Sequence, residues 1–319
     1  ALADDTRTRF EAYGWKVLDC DGHDFDSIDR AFRKALKVVG QPTLIIAKTH
    51  IGMGCPTKQD TSGVHGAPLG AEELAGLKRN LGFDPEKSFD VPGDVYDWFE
   101  ERGAACHRMN LRWKKALRDW TAAHADLAAA RETALHGYLP QKLETKLPTF
   151  DPAKPLATRN ACGTVMSALA AEVPFLVGGS ADLEPSNKTN LKPFGWNSAT
   201  DFSGRNFHWG IRELGMSAIV NGLVAHGGYR AFGATFAVFS DYCKPAMRLA
   251  ALMGLPSMWV FSHDSFYVGE DGPTHEPVEQ LAMLRTTPNL CTFRPADANE
   301  TAACWLAMLQ RKDGPSCIL

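Results

Sequence analysis

Trp15-Lys-Val-Leu-Asp-Cys20, Asp21-Gly-His-Asp24, the run Phe25 to Val39, Gly40-Gln-Pro42 and Thr43-Leu-Ile-Ile-Ala-Lys48 follow one another without a gap, and their reading decides the fold. Trp15 to Cys20 has strand character. Asp21 to Asp24 supplies turn and helix-cap chemistry. Phe25, Ile28, Phe32, Leu36 and Val39 recur at helical spacing, and Gly40-Gln41-Pro42 ends that helix. Leu44-Ile45-Ile46-Ala47 is an unbroken apolar run, as in a strand buried on both faces. Strand, helix, strand in that order predicts a βαβ unit, a parallel sheet and an α/β fold.

Working outward, the second strand runs into Thr49-His50-Ile51-Gly52-Met53-Gly54, where the glycines allow a tight turn or close backbone approach. Val64-His65-Gly66-Ala67-Pro68-Leu69-Gly70 follows, and His65 reads either as a ligand or as an ordinary loop histidine. Ala71 to Leu81 and a region from Asp94 to His136 read as helices, the latter with a break at Gly103. Trp98, Trp113 and Trp120 read there as packing residues. Pro140 to Pro155, with four prolines, reads as a linker.

A second domain begins near Leu156. Helix Ala161–Ala171 leads to a strand at Phe175–Gly178, then to the polar loop Gly179 to Asn187. A helix carrying Ile211-Arg212-Glu213-Leu214-Gly215-Met216 follows, with Ile211, Met216, Ile219, Leu223 and Val224 on or beside one apolar stripe. Glu213 among them is paired with a cation such as Arg212, protonated or functional. Phe236, Phe239 and Tyr242, spaced three apart, build an aromatic face if helical; core packing is the plainer reading. Met258-Trp259-Val260-Phe261 reads as a buried strand. It opens at once into Ser262-His263-Asp264-Ser265-Phe266-Tyr267-Val268-Gly269-Glu270-Asp271-Gly272-Pro273-Thr274-His275, a loop at a strand's carboxyl end, where α/β folds bind ligands. Its imidazoles and carboxylates suit hydroxyl binding and proton transfer; the alternative is a solvated loop. Glu276 to Leu284 reads as a helix, and Asp297 and Asn299 as caps for a helix through Leu309.

Composition bounds these readings. The 319 residues are 45% hydrophobic, enough for real cores in about two domains. A net charge of −3 argues against a nucleic-acid surface. No apolar run has membrane-spanning length and no secretory leader opens the chain. Eight scattered cysteines without a Cys-x-x-Cys pair suit reduced thiols in a cytoplasmic protein. Both ends read as cut, so one segment of a longer enzyme is expected.

Several stretches together resemble transketolase, in the family's order and over nearly the whole chain: Val64 to Gly70, Leu156-Ala157-Thr158-Arg159, Gly178 to Leu183 with Pro185-Ser186-Asn187, Gly210-Ile211-Arg212-Glu213, His263-Asp264-Ser265 with Gly269 to His275, and Arg294 to Asp297. The resemblance implies a parallel-sheet thiamine-diphosphate fold: residues 1–122 as the carboxyl-terminal part of the diphosphate-binding domain, 123–155 as linker, and 156–319 as the pyrimidine-binding domain. It implies ketol transfer between sugar phosphates, using thiamine diphosphate and Mg2+ or Ca2+. The metal and diphosphate motif is expected upstream, with no metal ligand on this chain, and Asp21-Gly22 is not that motif.

The resemblance assigns roles. Glu213 hydrogen-bonds the aminopyrimidine, favouring the imino tautomer whose nitrogen takes the thiazolium C2 proton. Phe236, Phe239 and Tyr242 surround the pyrimidine, which overturns the packing reading. Ile51 and Asp182 complete the cofactor contacts. His65, His263 and His275 line the substrate channel, with His65 and His263 assisting proton transfer. Asp271 reads the donor's secondary hydroxyl, and Arg159 and Ser186 hold the acceptor phosphate. Two departures stand out: Leu214 where many relatives have His, and Phe266-Tyr267 where the family has a small Ile-Gly pair, which bears on substrate range. A homodimer, or a heteromer with a chain carrying the missing segment, is expected. The alternatives are another thiamine enzyme of the dihydroxyacetone or deoxyxylulose-phosphate synthase type, and a non-catalytic assembly subunit.

Overall fold

A computed structural model describes residues 3–319. The chain runs α1 (Thr6–Ala12), β1 (Lys16–Asp21), α2 (Phe25–Ala35), β2 (Thr43–Lys48), α3 (Ala71–Asn80), α4 (Gly93–Ala123), α5 (Ala125–His136), α6 (Thr158–Glu172), β3 (Leu176–Ser180), α7 (Glu184–Asn187), α8 (Glu213–His226), β4 (Arg230–Phe236), α9 (Ser240–Met253), β5 (Met258–Ser262), α10 (Gln280–Arg285), β6 (Cys291–Phe293), α11 (Ala298–Gln310) and β7 (Ser316–Ile318). Two compact units result, Ala1–Met109 and Asn110–Leu319.

In the first unit, β1 and β2 pair in parallel, Lys16 opposite Thr43 through Asp21 opposite Lys48. The predicted βαβ unit is therefore present. Asp24 caps α2, its side chain accepting from the Asp26 N–H. The burial expected of this unit is not observed. β2 is half-buried to exposed along its length, because within this two-stranded sheet it has one neighbour. On α2 only Ala31 is buried, while Phe25, Phe32, Leu36 and Val39 face solvent.

The second unit holds a five-stranded parallel sheet in the order β3-β4-β5-β7-β6. Every residue of β3, β4 and β5 is buried, as a sheet covered on both faces requires. Side chains alternate between two cores. Leu176, Phe232, Met258 and Val260 pack with Leu169 of α6 and Trp305 of α11 on one face. Val177, Ala231, Trp259 and Phe261 pack with Met216 of α8 and Met247 of α9 on the other. Parallel strands place the carboxyl ends of β3, β4 and β5 along one edge, and this edge carries the site.

Several sequence expectations are corrected. α4 runs unbroken through Gly103, the interruption falling instead at His124 between α4 and α5. Trp98 and Trp113 are exposed, not packed. The 140–155 stretch is no bare connector: Leu143 is buried, and Leu139, Leu147 and Phe150 pack against the core. α8 begins at Glu213, leaving Ile211 outside it and exposed, as is Ile219; the buried positions are Met216, Ser217 and Val220. α10 starts only at Gln280, after a 3-10 turn at Pro273–His275. Asp297 does cap α11, accepting from the Glu300 N–H. Asn299 does not cap: its amide exchanges two hydrogen bonds with the Phe150 backbone. All eight cysteines are free. No helix among the described residues is long and apolar enough to cross a membrane.

Candidate functional site

Three strand ends and the first turn of α6 build the site. β3 ends at Ser180, and Asp182 turns the chain through a left-handed backbone (φ 62°) into α7. β4 ends at Phe236, followed by a 3-10 turn to Phe239 and then α9. β5 ends at Ser262, and His263 breaks the strand direction at once with φ 56°. Such a backbone is uncommon for a residue with a Cβ and marks an imposed position.

A cavity of about 470 Å3 opens beside this edge, lined among others by Arg159, Asn187, Ser262, His263, Asp264 and Tyr267. Arg159 Nη1 lies 3.0 Å from His263 Nε2. Ser262 Oγ lies 2.9 Å from His263 Nδ1. Asn187 donates from Nδ2 to Ser262 Oγ (2.6 Å) and to the Thr235 carbonyl (3.0 Å), while its Oδ1 accepts from Ser180 Oγ (2.6 Å). Arg294, at the end of β6, pins the loop through a 2.6 Å bond to Asp264. Burial holds the His263 imidazole below the usual histidine range; Arg159 adds to this, Asp271 and Asp264 oppose it, and His275 again lowers it. Cys162 also lines the cavity, but burial pushes its thiol up to about 12, so it is not a nucleophile.

An aromatic wall stands next to His263. Phe236 and Phe239 lie nearly parallel, 6.0 Å between centroids and 7° apart, and Tyr242 continues the row at 6.1 Å. The expected aromatic face thus exists, but one strand end, one 3-10 turn and one helix build it rather than a single helix. The His263 ring packs on Phe236 at 3.9 Å, and His275 meets Phe239 edge-on at 5.2 Å. Glu213 is the first residue of α8 and half-exposed. Its charge reaches the Cys243 thiol on α9, one residue beyond Tyr242. Among the described residues it has no ion pair with Arg212, whose guanidinium instead donates to the Trp209 carbonyl. A flat heteroaromatic ring fits such a wall, with a carboxylate free to bind its edge.

Of the sequence-predicted residues, Arg159 and His263 meet directly, and His275, Phe236, Phe239 and Tyr242 join them through ring contacts. Asp271 lies exposed on the same loop, close enough to act on His263 electrostatically. Ser186 sits on α7 beside Asn187 but outside the cavity wall. His65 and Ile51 belong to the first unit, both exposed: His65 after a 3-10 turn at Ser62–Val64, Ile51 in the turn after β2. No cluster of metal-ligating side chains occurs among the described residues. Ser180 and Asn187 fall in stretches that carry the family resemblance and Ser262 closes a predicted strand, but nothing local marks them as a buried network, and their roles emerge only from the contacts.

Residues 1–140 match the family model of the transketolase thiamine diphosphate binding domain, and residues 154–319 that of the transketolase pyrimidine binding domain. The whole chain is 46% identical to the transketolase of Bacillus subtilis and 47% identical to that of Geobacillus stearothermophilus, and spans 48% of the length of each. A solved transketolase from Leishmania mexicana superposes on 100% of the chain, again with 48% of its own length, at a TM-score of 0.94 and 38% identity. With both domain models matched in order and this identity sustained from end to end, the chain belongs to the transketolase family.

Proposed function

We propose that this chain forms the substrate-reading and pyrimidine-binding part of an enzyme that moves a two-carbon ketol unit between sugar phosphates. One observation carries the reading: Arg159 and His263 meet in a cavity at the strand ends, beside an aromatic wall on whose helix, α9, the charge of the Glu213 carboxylate acts, a carboxylate with no ion pair among the described residues. The proposed division is 1–122, a linker at 123–155 and 156–319; the family models at 1–140 and 154–319 support a junction between two domains inside that linker and not its start at 123.

The residues fit the pyrimidine end of thiamine diphosphate. Phe236, Phe239 and Tyr242 offer ring faces, and Glu213 offers an acceptor for the ring's edge. Ile51 and Asp182 are further candidate contacts. The bound cofactor supplies an electron sink for breaking the carbon–carbon bond beside a carbonyl. A divalent ion, Mg2+ or Ca2+, is proposed with ligands outside the described residues. The chain's own contribution is recognition and proton handling. Arg159, with Ser186, binds the phosphate through a charged fork and a hydroxyl. His65, His263 and His275 hydrogen-bond hydroxyl and carbonyl oxygens and pass protons, chemistry for which imidazole is suited. Asp271 reads a secondary hydroxyl. We further propose that the working enzyme is cytoplasmic and is completed by the remaining half of the relatives' length, as one longer polypeptide or a separate chain, in a homodimer or heteromer.

The test is reconstitution: the chain together with that remaining sequence, thiamine diphosphate and magnesium, assayed for transfer from xylulose 5-phosphate to ribose 5-phosphate. Transfer is expected, with loss of at least about 100-fold in Glu213→Ala, since proton-relay groups contribute this much. A folded complex without transfer, or one in which Glu213→Ala is fully active, overturns the proposal. Transfer to formaldehyde, or from pyruvate, in place of the sugar phosphates would point to a synthase of the same superfamily.

A further inference from the structure

Asn187 is 1% exposed and carries three hydrogen bonds to three strand ends. Hydrogen accounting fixes the direction of each. The Thr235 carbonyl only accepts, so the Asn187 amide nitrogen faces it. Its second N–H then points to Ser262 Oγ, which is an acceptor in that bond. From the other side, Arg159 only donates, so His263 Nε2 must hold a lone pair to engage it at 3.0 Å. A neutral imidazole with a lone pair on Nε2 has its proton on Nδ1. That N–H therefore donates to Ser262 Oγ, which accepts from both sides. The left-handed backbone at His263 and the 3.9 Å packing on Phe236 remove the ring's freedom to turn over.

The groups facing the ring are few. Arg159 comes from α6, Asp264 and Asp271 from its own loop, and His275 from the following 3-10 turn; Phe236 from β4 covers one face. Asp264 is already engaged by Arg294. The nearest charge to Nε2 is the Arg159 guanidinium, and protonating Nε2 would set two cations about a hydrogen-bond length apart.

We propose that Arg159, facing Nε2, sets His263 as the neutral Nδ1-protonated tautomer, that Asn187 is a positioning residue holding Ser262 Oγ in place as the acceptor of that Nδ1–H, and that a dianionic phosphate arriving at Arg159 releases Nε2 to take a proton. The site is then an anion-linked proton switch. With Arg159 unliganded, its charge keeps Nε2 unprotonated. With the guanidinium neutralised by a phosphate, Nε2 gives up its contact with Arg159 and takes a proton from a substrate hydroxyl: the O–H bond breaks, its electron pair stays on the oxygen as an alkoxide, and the ring becomes an imidazolium. Proton transfer is thereby tied to the presence of a phosphorylated substrate. The inference rests on the reading that this cavity receives sugar phosphates.

The test uses the chain itself, labelled with 15N-histidine, with inorganic sulfate as a dianion that does not titrate near neutrality. The His263 ring signals, assigned by their loss in His263→Asn, are expected to show protonated Nδ1 and unprotonated Nε2. An Nε2-protonated ring overturns the lock. In Arg159→Ala the tautomers are expected to mix, and an unchanged tautomer there overturns the role of Arg159; in Asn187→Ala, or in Ser262→Ala if that variant fails to fold, the Nδ1 proton loses its placed acceptor and is expected to exchange faster with solvent, and an unchanged exchange rate in a folded variant overturns the role of Asn187. Saturating sulfate is expected to raise the His263 midpoint by about one pH unit, the scale of a nearby charge. In Arg159→Ala the midpoint is expected to start higher and to ignore sulfate. A wild-type midpoint indifferent to saturating sulfate overturns the switch but leaves ketol transfer to be judged by reconstitution. Failed transfer with an intact sulfate response overturns the function and not the switch.

Discussion

His263 combines a strained backbone, a buried hydrogen-bonding partner and a cation at its open nitrogen, and its titration follows from these. In the unfolded chain its ring titrates near 6.5, and in the fold burial and Arg159 hold it lower. Between the two values the unfolded state binds more protons, so stability rises with pH there and falls as the solution is acidified below about 6.5. His263→Asn keeps a residue tolerant of a left-handed backbone. It is expected to flatten that part of the stability profile, as read from urea midpoints between pH 5 and 8; an unaltered acid slope would contradict the assignment. Tyr267 is the second residue to test. It is exposed at the cavity wall, its ring 4.1 Å from that of Phe266. Tyr267→Gly is expected to change the ratio of kcat/KM for long and short acceptors by about tenfold in the reconstituted enzyme, the usual scale for apolar pocket volume. An unchanged ratio would place the ring outside the substrate path.

At the scale of elements, close backbone approach and capping hold the site edge. A Cβ on Gly179 would lie 2.0 Å from the Phe207 carbonyl oxygen, a backbone atom with little room to yield. Gly179→Ala is expected to cost about 1–3 kcal/mol, measured by denaturant unfolding, with the β3 edge displaced. At the other end of the sheet, Asp297→Ala removes the α11 cap and is expected to cost about 1 kcal/mol. α11 was legible from its Asp297 cap, and α8 from an apolar stripe of which Met216 is buried but Ile211 and Ile219 are not. The aromatic row was legible as a pattern but not as an architecture: spacing of three matches a helix, yet Phe236 belongs to β4 and Tyr242 to α9. The rings still align because the strand end and the helix start share one turn.

For the whole molecule, apolar exposure is the notable property. Phe25, Phe32, Leu36 and Val39 in one unit, and Leu214 and Ile219 in the other, face solvent, in a chain spanning 48% of its relatives' length. The isolated chain is expected to bind 8-anilinonaphthalene sulfonate strongly and to lose at least half the fluorescence when the rest of the relatives' sequence is added. Undiminished dye binding in a formed complex would show that these faces stay uncovered.

The sequence by itself determined the parallel α/β class, the strand–loop–helix order, the polar loops at strand ends and the family. These depend on hydrophobic period, on Gly and Pro punctuation and on contiguous motifs, all local along the chain. It misjudged β2, α2 and the tryptophans of α4, because amphipathic periodicity marks a face fit for burial without specifying what covers it. The tertiary structure alone decided the relay that orients His263. Asn187 reaches Ser262 across 75 residues, and Arg159 reaches His263 across 104. No local pattern encodes a bond between residues so far apart; it exists because a parallel sheet brings its strand ends to one edge.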